Sequence, residues 1–189
     1  MLIDTGRKRQ LDRLRRQRPY LPFAAGDLDK LLVATTGDVF PALTQPPDWF
    51  FVEISHLACI WRESKHQSAT IFLHPLLNRA ETPKWIFRHI FVHELLHLII
   101  PPREVDGRKK THPAEFWEAE KQLSPDREKV WDWLWWNYGE LLRNDRKKEC
   151  TRVRRGWQTR MQDPVRDLPE ECGCPASSTT KDVSIEMFR

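Results

Sequence analysis

A glutamate and two histidines four residues apart stand in the segment His93-Glu94-Leu95-Leu96-His97. On a helix, residues i and i+4 lie one turn apart on one face, so two imidazoles converge on one cation and the neighbouring carboxylate reaches a water beside it. The pattern predicts His93 and His97 as metal ligands, Zn2+ as the metal and Glu94 as the general base. The flanking residues Trp85, Ile86, Phe87, Ile90, Phe91, Val92, Leu95, Leu96, Leu98 and Ile99 make the helix apolar on most faces. Burying two imidazoles and a carboxylate in such a helix costs several kcal/mol unless something binds them.

A catalytic zinc takes three protein ligands and leaves a fourth position open. His112 and Glu115 follow His97 after fourteen and seventeen intervening residues. Glu115 has a structural task available, as the third residue of a capping box begun at His112-Pro113. A histidine at the cap position has no such task, so His112 is expected as the third ligand and Glu115 is the alternative. With a metal to lower the pKa of a water and polarise a carbonyl, hydrolysis needs no other cofactor. An oxyanion donor is also expected, and His74, Arg88 and Tyr138 are candidates that only the fold can bring near. His89, one turn before His93, reads as a buried structural histidine or as a residue that orients the ligands. His56, His66 and His74 lack metal spacing.

HELLH followed by His112-Pro113-Ala114-Glu115-Phe116-Trp117 resembles the SprT-like and YgjP-like zinc metallopeptidases, in which HExxH is followed by a variable loop and a His shortly before an aromatic pair. Upstream, Ser68 to Leu77 resembles the strand and turn that precede the metal helix in that group, so the likeness covers about residues 49–142. It implies a zincin-like α+β domain, His112 as third ligand and a protein or peptide substrate. The loop Pro101 to Thr111 is longer than in the compact YgjP-like pattern, and the C-terminal zinc ribbon of many SprT-like proteins is missing.

The elements that must position these residues can be read from periodicity. Leu28, Leu31, Leu32, Val39 and Phe40 recur at helical spacing from Asp27, with Gly37 offering a stop. Trp49 to Trp61 has the aromatic and β-branched pattern of one long or two short strands, and Ala69 to His74 that of another, after a polar turn at 63–68. Thr82-Pro83 predicts a capped start for the metal helix and Pro101-Pro102 its end. A helix from His112-Pro113 buries Phe116, Ala119 and Leu123. A further helix, from Ser124-Pro125, carries Val130, Leu134, Tyr138 and Leu141 in line, with Trp133 and Trp136 projecting away and predicting an exposed face.

The chain of 189 residues has room for one core, with 40% hydrophobic and 31% charged residues. Three regions are expected: a flexible basic arm over 1–25, the metallopeptidase domain over 26–143, and a tail over 144–189, mostly extended or disordered. The net charge of +4 is uneven, because residues 1–20 hold seven basic and two acidic side chains and residues 143–160 hold eight and two. Such flanks are either simply solvated or suit a nucleic acid or an acidic membrane surface, and the Trp-rich helix beside them either packs against the rest of the chain or stacks on unpaired bases. No secretory signal and no run of about 18 apolar residues is present, which predicts a cytoplasmic protein without a membrane partner. Cys59, Cys150, Cys172 and Cys174 lack zinc-ribbon spacing and read as reduced thiols. The composition leaves three functions in play: a zinc peptidase, a non-peptidase metal-dependent hydrolase, and a nucleic-acid-binding module.

Overall fold

The computed structural model describes residues 12–14, 16–17, 20–22, 25–62, 69–105, 107–145 and 150–161. The architecture is mixed α+β. A three-stranded sheet is formed by β1 (Asp48–Phe51), β2 (Ala58–Arg62) and β3 (Ala69–Leu73), in the order β1-β3-β2. Strand β3 runs parallel to β1, pairing Asp48 with Thr70, and antiparallel to β2, pairing Ala58 with Leu73. As the central strand it is covered on both faces, so all five of its residues are buried.

The two faces have different cover. Ile71 and Leu73 join the main core, built with helix α1 (Ala25–Val39) and helix α2 (Lys84–Ile99). Phe72 points the other way, into a small cluster with Leu14 and Val52. Part of the expected flexible arm therefore packs on the sheet. Tyr20 also bridges Phe51 through its backbone, and its hydroxyl donates to Glu53 Oε1 at 3.0 Å. The polar turn at 63–68 lies outside the described residues.

Helix α2 is the central element, with Ile86, Phe87, Ile90, Phe91, Val92, Leu95 and Leu96 all buried. Thr82 does not cap it; the cap position is Pro83, with no side-chain hydrogen bond. The helix ends where Ile100 turns extended before Pro101, because a residue preceding proline is driven out of the helical region. Within the loop of 101–111, β4 (Arg103–Val105) pairs antiparallel with β5 (Arg108–Lys110). Gly107, between the two strands, has φ +69, where glycine is favoured.

Helices α3 (Ala114–Leu123) and α4 (Arg127–Tyr138) cover α2. Val130, Leu134, Tyr138 and Leu141 are buried as expected, and Trp136 is 53% exposed. Trp133, which also projects from that line, is instead 2% exposed, packed edge-on against Trp85 at 6.3 Å and Tyr138 at 5.5 Å. Regular structure continues past residue 143, into the stretch expected as a tail. A hairpin of β6 (Leu142–Asp145) with β7 (Cys150–Val153) and the short helix α5 (Trp157–Arg160) follow, burying Thr151, Val153 and Trp157. Residues 162–189, with Cys172 and Cys174, lie outside the described residues.

Candidate metal centre

His93 and His97 share one face of α2, and His112 comes to them from the turn before α3, just after the β4–β5 hairpin. One ring nitrogen from each of the three lies within 4.8 Å of the others. The Nε2 atoms of His97 and His112 face each other at 3.2 Å. Ligand atoms around a tetrahedral zinc with bonds of about 2.0–2.1 Å stand about 3.3–3.4 Å apart, so this pair already has the spacing of two ligands. The three histidines can bind a metal ion.

Burial holds His97 and His112 well below the ordinary histidine range, at about 3 and about 4, with the positive charge of His93 adding to it. Both rings are therefore neutral near pH 7, the form that ligates. His93 differs. Burial lowers its pKa, but the hydrogen bond to Glu120 and the charges of Glu94 and Glu120 outweigh it and leave it raised. His93 Nδ1 donates to Glu120 Oε1 at 2.6 Å, which turns Nε2 toward the cluster. Glu120 is fully buried, and its second oxygen lies 2.8 Å from Arg127 Nε.

Glu94 is 5% exposed and sits against β2, where it has a backbone hydrogen bond to Ile60. Burial pushes its carboxyl up to about 7, against the pull of His93 and of that hydrogen bond. On β2, burial and the Glu94 charge push the thiol of the partly buried Cys59 up to about 12, which disfavours its thiolate. Cys59 and Cys150 are both free thiols.

The alternative ligand Glu115 is not in the cluster. It pairs with Arg103 of β4 at 2.7 Å. Nor does it form a capping box, since α3 opens at Pro113 without a side-chain cap. The three candidate oxyanion donors are engaged elsewhere. His74 Nδ1 accepts from the Leu76 N–H and packs on Trp157 at 5.0 Å, Arg88 donates to the Leu123 carbonyl at 2.9 Å, and Tyr138 is buried against Trp133. His89 bonds Ser124 Oγ at 2.9 Å through Nδ1 and holds the α3–α4 corner against α2.

Sequence reasoning missed Glu120, Arg127 and Trp117. A signal for Glu120 was present: it stands four residues after Phe116, on the apolar face of α3, where an unpaired carboxylate would be costly. The chain matches no family model, no curated protein and no solved structure.

Proposed function

We propose that this chain is a zinc-dependent peptidase with a zincin-like fold, akin to the SprT-like and YgjP-like group. The observation that carries the reading is the convergence of His93, His97 and His112 on one point, with a buried carboxylate, Glu94, next in sequence to the first of them. The donor set fits zinc: three imidazoles, those of His97 and His112 neutral and that of His93 backed by a carboxylate. Bound zinc supplies Lewis acidity, which draws the pKa of water toward about 7 and polarises a carbonyl.

The protein's own residues do the rest. Glu94 accepts the proton of the attacking water and returns it to the departing amine nitrogen, so the carboxylate is unchanged over a cycle. A base with its pKa near the working pH suits both transfers. Glu120 keeps the His93 ring from turning. A peptide substrate is favoured by β2, which among the described residues lies at the edge of the sheet and pairs with β3 alone, because an extended peptide can add to such an edge through its backbone.

The test is metal analysis of the purified protein, paired with Glu94→Gln. The expected result is about one zinc per chain in both proteins and cleavage of unfolded casein by the wild type alone, the variant losing about 10²–10⁴-fold. Zinc without proteolysis would point to a different hydrolase. Absence of stoichiometric metal, with salt-sensitive binding to single-stranded DNA, would favour a binding module.

A further inference from the structure

Arg127 reaches two of the three histidines through different neighbours. Its Nε lies 2.8 Å from Glu120 Oε2, and the other oxygen of that carboxylate holds His93 Nδ1 at 2.6 Å. Its guanidinium carbon also sits 5.0 Å from the centre of the Trp117 ring. Trp117 in turn faces the His112 ring at 5.0 Å, with 36° between the planes. Glu120 and Trp117 belong to α3, whereas Arg127 is the first residue of α4.

We propose that Arg127 is a positioning residue for the metal centre: it clamps Glu120 and Trp117 together, sets the His93 and His112 rings, and ties metal affinity to the placement of the first turn of α4 beside α3. A planar guanidinium can offer an edge to a carboxylate and a face to an indole at once, which a lysine ammonium cannot do. The corner between the two helices is pinned independently by the Ser124–His89 hydrogen bond, so the first turn of α4 has a defined place from which to present Arg127. Glu120 is fully buried, so water does not reach its second oxygen. The inference rests on the metal-binding reading of the three histidines and not on what the site hydrolyses.

The experiment uses the full chain stripped of metal, with zinc alone titrated against a chromophoric chelator and cobalt(II) alone followed by its visible absorption. Arg127→Met is expected to weaken zinc binding about 10–100-fold, the usual consequence of losing a residue that supports a ligand, and to alter the cobalt spectrum. Arg127→Lys keeps the charge beside Glu120 but not the stacked plane, and should recover only part of the affinity. Arg154→Met is the control, because Arg154 holds the Leu142 carbonyl away from the site; it should lower the melting temperature and leave zinc affinity unchanged. A folded Arg127→Met protein with wild-type affinity would overturn the proposal. If that variant does not fold, wild-type affinity and spectrum in Arg127→Lys would overturn it equally, as would a wild type that takes up no zinc. Zinc binding without peptide hydrolysis leaves Arg127 in this role and removes the peptidase reading alone.

Discussion

Among single residues, the histidines divide by what surrounds their ring nitrogens. His74 and His89 are satisfied inside the protein by the Leu76 N–H and the Ser124 hydroxyl, while His97 and His112 turn their Nε2 atoms on each other. His112→Ala should therefore lose stoichiometric zinc, and Glu115→Gln should keep it, as read by metal analysis after dialysis. Burial lowers both His74 and His89 to about 4 from an ordinary value of 6.5. The unfolded chain thus takes up protons at these sites before the folded one does. Their contribution to stability is fully present above pH 6.5 and is lost as the pH falls toward about 4. His97 and His112 act in the same sense, while Glu94 and His93, both raised, act against them. Urea midpoints should accordingly drop between pH 7 and pH 5. In His74→Asn, which keeps an acceptor for the Leu76 N–H, that slope should shrink by about one proton, or about 1.4 kcal/mol per pH unit.

At the level of elements, α2 does two jobs with one sequence. Seven of its apolar residues build the core, and its polar residues face α3, β2 and the cluster. Phe91, with no exposed surface, should cost about 3–5 kcal/mol on substitution by alanine, measured by denaturant unfolding. The β6–β7 hairpin and α5 belong to the same domain. Trp157 covers His74, which caps the turn between β3 and α2. Ending the chain at Arg143 should consequently lower the melting temperature markedly and expose apolar surface to a dye such as ANS. A truncated protein that melts like the full chain would place the boundary back where composition alone put it.

The whole molecule wraps a small sheet and one buried helix with elements distant in sequence. Glu53 ties the two ends together, accepting from Tyr20 on one side and from Gln158 at 2.6 Å on the other. Because the ligands come from α2 and from the turn before α3, a bound ion adds a link between elements that the His93–Glu120 and Arg88–Leu123 hydrogen bonds already join. Any ligand that binds the folded state alone raises its stability, so removing zinc with a chelator should lower the melting temperature, and adding it back should restore it. Among the described residues, no helix is long and apolar enough to cross a membrane.

Local chemistry made much of this readable in advance. The positions of the three strands and the extent of α2 follow from periodicity and from prolines, which act over a few residues. The outcome at Glu115 was not local, since Arg103 of the hairpin claims it. Trp133 looked exposed on its own helix, and became core because Trp85 of α2 lies across it. The basic run after 143 had the composition of a tail, yet alternate residues of β7 face inward once β6 pairs with it and the domain offers Trp157 a place. Glu120 and Arg127 show the same division most directly. Residue spacing along the chain placed a histidine, a glutamate and a second histidine on one face of a helix. Only the packing of α3 and α4 on that helix decided which carboxylate would hold His93 and which cation would hold the carboxylate, because a buried charge takes its partner from whatever the fold brings within about 3 Å.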